Sequence, residues 1–342
     1  MVKPLTLRGR FRSDTIQSFV TTRNISLATV QEARERVYRV ARRTPMVRLD
    51  PVSADLPEIW LKLEVFQPIG SFKIRGAANA VGKLTPAEMR DGVWTVSAGN
   101  AAQGVALAAR NAGVKASVLV MDTAPQAKLN AIRRLGATIV PATYDEAWRA
   151  VESHTSDRMT GRMVHPFDDD DFISGNGTAA LEILEDMPDV DAVVASIGGG
   201  GLLAGLGCVM RALKPSVRMI ASEPETAAPL ALSFASGSAQ RFEAWKTSFV
   251  DGAGGKSVLP SMWPLLQPTV AASLVVTLDE AASAMALVAD RLHVIIEGAA
   301  ACAAAAAVSG RAGAGKVVAV VSGGNIDLSR FALLVGACPD AR

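Results

Sequence analysis

The chain has 342 residues, of which 49% are hydrophobic and 20% are charged, a composition that favours about two globular domains and excludes a disordered chain. Its 35 basic and 33 acidic side chains leave a net charge of +2, with no basic stripe interleaved with aromatic residues, so we expect no nucleic-acid partner. We expect no membrane span, since no apolar run approaches about 18 residues, and three dispersed cysteines favour a cytoplasmic protein.

Taken in chain order, the apolar pattern predicts strands that alternate with helices of about 10 to 15 residues. Residues 1–25 are weakly patterned, and we interpret them as an N-terminal extension that either lies on a partner subunit or is frayed. The alternation that follows predicts an α/β fold with mainly parallel sheet. We expect a small mobile domain of residues 91–164, inserted in a large cofactor-binding domain made of residues 26–90 and 165–342. A ligand is then expected between the two lobes, at the carboxyl ends of strands.

The segment Gly70–Gly76 places Lys73 between Phe72 and Ile74, with glycines on both sides. Small residues let the backbone approach a ligand, and apolar neighbours lower the pKa of an ammonium group by removing water from it. Lys73 is therefore a candidate nucleophile for a carbonyl, of the kind that forms a Schiff base. The alternative is an ordinary surface lysine at the start of a helix.

The tetraglycine Gly198–Gly201 follows a predicted strand and precedes a predicted helix. Successive glycine amides at a helix N-terminus form a nest that binds an anion, and phosphate is the expected ligand. Gly199, Gly201 and Ala204 also satisfy a GxGxxG/A pattern, and Glu223 stands where a ribose-binding acid is expected. A nucleotide-dependent oxidoreductase and a plain glycine turn without a ligand are therefore alternatives.

Two further loops follow predicted strands. Ser97-Ala98-Gly99-Asn100 offers amides, a hydroxyl and a carboxamide that together suit a carboxylate. Ser322-Gly323-Gly324-Asn325 offers a neutral hydroxyl at the end of the last predicted strand. Each loop has the alternative of a helix N-cap or a tight turn.

The acidic run Asp168–Asp171 lies between a short apolar stretch and a helix that we expect around residues 177–187. A run of like charges is more often a solvated turn than a metal site. We therefore interpret it as an exposed turn.

Together these features suit pyridoxal 5′-phosphate bound to an amino acid. They are an anion-binding nest, a lysine that can react with an aldehyde, a loop that can bind a carboxylate, and a neutral hydroxyl group. The segments GSFKIRGA, SAGNAAQGVA, VHPFDD with GNGTAALEI, SIGGGGLLAG and VSGGNID resemble the fold-type-II pyridoxal-phosphate enzymes, specifically the threonine/serine dehydratase (ammonia-lyase) branch. The resemblance runs from about Ala33 to Asp327. It implies a two-lobed parallel-sheet fold like that of the tryptophan synthase beta subunit, a small amino-acid substrate and a homodimer or higher homo-oligomer.

The same resemblance implies roles for particular residues. Lys73 binds the cofactor and then acts as the base at the substrate Cα, so that a 3-hydroxy amino acid yields a 2-oxo acid and ammonia. Phe72 packs on the cofactor ring, Asn100 bonds its O3′ and Ser322 meets the pyridine nitrogen. The implied cofactor-binding set is Phe72, Lys73, Asn100, Gly198, Gly199, Gly200, Gly201, Leu202, Gly252, Glu297 and Ser322. The implied substrate-carboxylate set is Ser97, Ala98, Gly99 and Asn100.

The chain also departs from the pattern of this branch. Ala101 replaces a common histidine, which implies a roomier substrate side and makes a bulkier 3-hydroxy amino acid an alternative to threonine or serine. Ala98 replaces the second serine of racemases, and the loop differs from the TSGNT of cysteine-making synthases, so racemase and β-replacement chemistry are disfavoured. Glu223 matches one ligand of the racemase cation site, but Pro229 stands at another, so we expect no metal. A non-catalytic ligand-binding relative remains an alternative.

Overall fold

The computed structural model of the protein describes residues 23–50 and 56–337. Most of the predicted N-terminal extension, together with Cys338, lies outside the described residues. Among those described, no helix combines the length and the apolar character that crossing a bilayer requires.

Ten strands are present within the described ranges. They are β1 (Met46–Arg48), β2 (Glu58–Leu63), β3 (Val93–Val96), β4 (Ala116–Met121), β5 (Thr138–Ala142), β6 (Arg162–Met163), β7 (Ala192–Ser196), β8 (Arg218–Pro224), β9 (Ala272–Val276) and β10 (Lys316–Val321). A six-stranded sheet has the order β1-β2-β10-β7-β8-β9, and a four-stranded sheet has the order β5-β4-β3-β6. Every pairing is parallel except that of β1 with β2. The predicted α/β fold with mainly parallel sheet is confirmed.

Thirteen α-helices and one 3-10 helix (Glu64–Phe66) accompany these strands in the described part of the chain. The α-helices are α1 (Leu27–Val37), α2 (Lys73–Gly82), α3 (Pro86–Met89), α4 (Asn100–Asn111), α5 (Gln126–Arg134), α6 (Tyr144–Ser153), α7 (Asp170–Asp186), α8 (Gly201–Leu213), α9 (Pro229–Ser236), α10 (Trp263–Leu266), α11 (Leu278–Leu292), α12 (Gly298–Val308) and α13 (Leu328–Gly336). The four-stranded sheet with α4, α5 and α6 falls inside residues 91–164, which we call the four-stranded region. The predicted domain boundaries themselves stay a prediction.

The central strands are apolar because helices cover both faces of each sheet. In the six-stranded sheet β7 is buried along its whole length, and α12 packs against β10, β7 and β8. Residues 298–307 of α12 are nearly all alanine, and all ten are buried. Their small side chains let this helix lie close to the sheet. Because β10 and β7 are parallel, the loops that follow these two strands lie at the same edge of the sheet.

Four charged side chains, Lys62, Glu64, Arg75 and Glu182, meet between β2, α2 and α7 with 0% of each exposed; we call them the buried quartet. Arg75 donates to both oxygens of Glu64, at 2.7 and 2.8 Å, and to both oxygens of Glu182, at 2.6 and 2.9 Å. Lys62 donates to Glu182 at 2.6 Å. Two positive and two negative charges thus compensate one another, as buried charges must. Arg75 lies two residues after Lys73, so the quartet anchors the first turn of α2.

Candidate active site

Lys73 is the first residue of α2. Its Nζ donates to the carbonyl oxygen of Pro166 at 2.6 Å and lies 5.2 Å from the ring of Phe72 and 5.5 Å from that of Phe172. Burial lowers the pKa of Lys73 to about 8, and the charge of Glu297 opposes this shift. A lysine held among aromatic rings with a lowered pKa can exist as a free amine near neutral pH, as a nucleophile or base requires.

The segment that leads into α2 is joined to the loop after β10. Ser71 and Gly323 form an isolated antiparallel bridge, and the amide of Phe72 donates to the carbonyl of Ser322 at 3.0 Å. Gly70 has φ +68°, a left-handed conformation that other residues adopt only with strain. Lys73 and Ser322 are thus held at adjoining positions, although about 250 residues separate them in the chain.

The tetraglycine links β7 to α8, and the surrounding atoms leave no room for side chains at Gly198 and Gly199. A Cβ on Gly198 would lie 2.5 Å from the carbonyl oxygen of Gly252, and one on Gly199 would lie 2.1 Å from the ring of Phe167. Gly200 has φ +93° and caps α8. The first amides of α8 have no partner within the helix, so the loop presents backbone donors with no side chain among them. Leu202, which follows, has its side chain in the hydrophobic core, 5% exposed, and only its backbone is available to a ligand.

The loop of residues 97–100 joins β3 to α4. Ser97 Oγ accepts the amide of Gly99 at 3.0 Å, and a Cβ on Gly99 would have no atom within 4 Å. The backbone here is therefore open, as a carboxylate clamp requires. Ala98 is half-buried. Ala101 is 3% exposed, so its side chain adds little surface to a cleft, and the expected extra room for substrate stays a prediction.

Glu297 caps the start of α12 and joins this loop to the rest of the site. Its Oε1 accepts from Asn100 Nδ2 at 2.8 Å, and its amide donates to the carbonyl of Gly323 at 3.0 Å. Burial raises the pKa of Glu297 to about 7, although the hydrogen bond from Asn100 lowers it. Asn100 Oδ1 in turn accepts from Asn325 Nδ2 at 2.7 Å. The structure thus brings the predicted residues from four separate loops together.

His165 and the carbonyl of Pro166 contribute to the site, although neither was among the residues predicted from the sequence. His165 Nδ1 accepts the amide of Asp168 at 2.7 Å, and its Nε2 lies 3.1 Å from the carbonyl of Val151, which assigns the proton to Nε2. Burial lowers the pKa of His165 to about 3, so the ring is neutral. The His165 ring therefore stabilises the turn in which the Pro166 carbonyl accepts the hydrogen bond from Lys73. The motif VHPFDD indicated the position, but a backbone acceptor has no sequence signal.

The expectation of an exposed acidic turn at Asp168–Asp171 is wrong for its first members. Asp168 is 6% exposed and is bonded by Arg23 at 2.7 Å and by Ser261 at 2.6 Å. Burial alone raises the pKa of Asp168, but hydrogen bonds from His154, Ser261 and Arg23 hold it well below the ordinary value. Asp169 caps α7, which begins at 170 and not near 177. The partners lie far away in the chain, so the local pattern could not reveal them.

Glu223 does not take the ribose-binding role of the nucleotide alternative. Its side chain is 0% exposed and accepts the amides of Leu230 at 2.7 Å and Ala231 at 2.8 Å, and the hydroxyl of Ser273 at 2.6 Å. The carboxylate therefore caps the first turn of α9, which begins at Pro229. Its oxygens are engaged by the protein itself.

The site residues fit pyridoxal 5′-phosphate on three observations. The tetraglycine forms a side-chain-free start to α8, which suits the phosphate. Lys73 has a lowered pKa, which suits a bond to the aldehyde. Ser71 Oγ is buried and has no hydrogen-bond partner among the described residues, and it lies beside Gly323 at the bridge described above. A ligand with polar atoms at this position would satisfy that hydroxyl.

Comparison with known proteins agrees with this fit. The family model described as "Pyridoxal-phosphate dependent enzyme" matches residues 37–323. The L-threonine ammonia-lyase of Thermotoga maritima is 37% identical over 309 residues, which are 89% of this chain and 77% of that protein. The catabolic L-threonine dehydratase of Staphylococcus aureus is 35% identical over 320 residues, which are 91% of this chain and 92% of that protein.

Solved structures show the same likeness. The processed form of threonine deaminase isoform 2 from Solanum lycopersicum superposes with a TM-score of 0.82 at 32% identity, covering 90% of this chain and 92% of that one. Maize serine racemase superposes with a TM-score of 0.81 at 30% identity, covering 90% of this chain and 95% of that one. Both lyases and racemases are therefore among the similar folds.

Proposed function

The chain belongs to the pyridoxal-phosphate dependent enzymes, and on that basis we propose that it is a dehydratase (ammonia-lyase) that converts threonine or serine to a 2-oxo acid and ammonia. The observation that carries the proposal is a lysine of lowered pKa beside an anion nest. Lys73 Nζ bonds the carbonyl of Pro166, and the next residue, Phe167, packs against Gly199 of the tetraglycine. The names of the relatives at 35% and 37% identity support a 3-hydroxy amino acid as substrate.

Each residue has a physical task in this proposal. Bound pyridoxal phosphate supplies the electron withdrawal that makes the substrate Cα proton removable. The loop of residues 97–100 holds the substrate carboxylate through backbone amides, and so directs the Cα–H bond towards Lys73. Lys73 removes that proton as a free amine. Ser322 would present a hydroxyl, and not a carboxylate, to the pyridine nitrogen, which would moderate the electron withdrawal and suit loss of the β-hydroxyl group. The β-hydroxyl group leaves as water, which balances the proton removed from Cα, and addition of a second water then releases the 2-oxo acid and ammonia.

The remaining assignments in the site belong to the same proposal. Amides of the tetraglycine and of Leu202 would hold the phosphate, Phe72 would pack against the ring, and Asn100 would donate to or accept from its O3′. Gly252 and Glu297 would line the space beside the ring. Their support is the chain of contacts that joins the tetraglycine, through Gly252, to Glu297 and Asn100.

The test is to incubate the protein with pyridoxal phosphate, remove the excess, and assay 2-oxo acid release from a panel of 3-hydroxy amino acids. We expect a yellow protein that turns over threonine or serine. Lys73→Ala is expected to lose the lysine-dependent visible band and to lower kcat by at least about 1,000-fold, since it removes both a covalent anchor and a base. Lys83→Ala, which alters an exposed lysine at the end of α2, is the matched control and should behave like wild type. A colourless protein, or Lys73→Ala with full activity, would contradict the proposal.

The same panel distinguishes the alternatives. If a bulkier 3-hydroxy amino acid is the best substrate, the chemistry is unchanged, and Ala101 motivates the inclusion of such amino acids in the panel. The likeness to a serine racemase structure at 30% identity motivates a chiral assay for the D-amino acid. We expect the 2-oxo acid to be formed in larger amount than the D-amino acid, because Ala98 lacks the hydroxyl group that the second serine of racemases supplies. Release of D-amino acid alone would favour a racemase.

We further propose a homodimer or higher homo-oligomer that works in the cytoplasm. Support comes from the resemblance stated above and from Cys208 and Cys302, both of which are free thiols. Light scattering on the purified full chain measures the mass in solution. A monomer would contradict the oligomer.

A further inference from the structure

Asn325 ends a chain of hydrogen bonds that runs through the site. Its Nδ2 donates to the carbonyl of Ile69 at 2.7 Å and to Asn100 Oδ1 at 2.7 Å. Asn100 Nδ2 then donates to Glu297 Oε1 at 2.8 Å. The chain therefore joins the loop before Lys73, the loop after β10, the start of α4 and the start of α12.

The direction of every hydrogen bond in this series follows from the carbonyl group of Ile69. A backbone carbonyl can only accept, so Ile69 requires the NH₂ group of Asn325, and not its oxygen, on that side. The same NH₂ group then requires the oxygen of Asn100. The NH₂ group of Asn100 is left to point at Glu297, whose carboxylate oxygen accepts it. The orientation of the Asn100 carboxamide thus follows from the donor of Asn325, and the acceptor oxygen of Glu297 favours the same orientation.

The position of Asn325 is also tightly defined. A Cβ on Gly70, which has φ +68°, would lie 2.9 Å from Asn325 Oδ1. Glycine at position 70 thus leaves room for the carboxamide directly beside the lysine segment. Asn325 follows β10 of the six-stranded sheet, whereas Asn100 opens α4 of the four-stranded region, so the hydrogen bond between them links these two parts of the fold.

We propose that Asn325 is a positioning residue, whose carboxamide orients the Asn100 side chain towards the cofactor ring and holds the start of α4 against the lysine segment. This inference rests on the proposed function, because the ring contact of Asn100 is part of it. Asn325 acts through Asn100, and it needs no contact with substrate.

Two substitutions separate orientation by donation from simple filling of space. Asn325→Asp keeps the size but places oxygens against two acceptors, Ile69 O and Asn100 Oδ1. Asn325→Ala removes the bonds without adding repulsion. Donation predicts that Asp is at least as harmful as Ala, with kcat lowered by up to about 100-fold, since small misplacements can cost that much. Space filling predicts that Asp resembles wild type and that Ala alone is impaired.

The readouts are kcat and KM for the best substrate, the visible spectrum of the bound cofactor with its pH titration, and the thermal midpoint of the apoprotein. Asn111→Ala, at the exposed far end of α4, is the control and should match wild type throughout. We expect both Asn325 variants to shift the spectrum or its titration midpoint, and to lower kcat more than they raise KM. Asn100→Ala combined with Asn325→Ala should be little worse than Asn100→Ala alone.

The inference is overturned if Asn325→Asp has the spectrum and kcat of wild type, or if the two Ala substitutions have fully additive effects. Failure of the proposed function is a different result: wild type would then release no 2-oxo acid from any substrate. In that case the cofactor spectrum still tests Asn325, since it requires binding and not turnover.

Discussion

The buried quartet and the ion pair between Lys128 and Asp251 contain the same kinds of charged groups, yet solvent reaches only one of them. Nitrogen–oxygen distances are 2.6 Å for Lys62 with Glu182 and 2.6 Å for Lys128 with Asp251. The quartet is 0% exposed, whereas the side chains of Lys128 and Asp251 are 35% and 54% exposed. Equal distances therefore do not mean equal energies, because the cost of losing one partner depends on the water that can replace it.

The two sets of charges also differ in what they join. The quartet lies under α2 and holds the helix that begins with Lys73. The Lys128–Asp251 pair joins α5 of the four-stranded region to Asp251, which precedes Gly252. Its two charges shift the pKa of Glu297 in opposite directions. The first set is suited to keeping the base in place, and the second to adjusting the electrostatics of the site at little cost in stability.

The largest expected effect comes from breaking the quartet. Glu182→Ala leaves Arg75 and Lys62 buried with an excess of positive charge, and should lower the free energy of unfolding by about 3–5 kcal/mol. Urea denaturation measures it. Glu185→Ala, at an exposed position on the same helix, is the matched control and should change it by less than about 1 kcal/mol. Equal losses in the two variants would remove the contrast between buried and exposed charges.

Acid should weaken the quartet next. Burial alone raises the pKa of Glu182, but Arg75 and Lys62 lower it to about 2 from the ordinary 4.5. Because the folded pKa is the lower one, the stabilisation is fully present above about pH 4.5 and is lost as the pH falls towards 2. It amounts to about 3 kcal/mol. The free energy of unfolding of wild type should fall over this pH window more steeply than that of Glu182→Gln, and parallel curves would show that Glu182 makes no such contribution.

The smallest effect on stability is expected at the exposed pair. Lys128→Met and Asp251→Asn should each change the free energy of unfolding by less than about 1 kcal/mol. They should move the pKa of Glu297 in opposite directions, because Lys128 lowers it and Asp251 raises it. Carbon-13 NMR of glutamate-labelled protein follows that titration from its value near 7.

Lys316→Met is the control for this pair. Lys316 forms an ion pair of similar exposure with Asp189, 35% and 64%, at the start of β10 and thus at the opposite sheet edge from Ser322. It should leave the Glu297 titration unchanged. Shifts of the same sign in Lys128→Met and Asp251→Asn would show that general loosening, and not charge, is responsible.

Much of the candidate site could be predicted from the sequence because its parts are local. Each part can be recognised within about ten residues of sequence. These parts are Lys73 among apolar and small residues, the tetraglycine between a strand and a helix, and the loops after β3 and β10. Parallel strands bring such loops to one edge, so the α/β pattern was enough to predict that they meet. The acidic run was misjudged because Arg23 and Ser261, which make its first carboxylate a buried acceptor, are about 145 and 93 residues away.

The sequence by itself determined the parallel α/β architecture, the family resemblance and the lysine on which the proposed chemistry depends. Only the tertiary structure decided that the Pro166 carbonyl accepts a hydrogen bond from Lys73, that Glu223 caps a helix, and that Asn325 donates to Asn100. The physical reason is that hydrogen bonding and desolvation depend on which atoms meet across long chain separations. A residue type states what it can donate or accept, and the fold selects its partner.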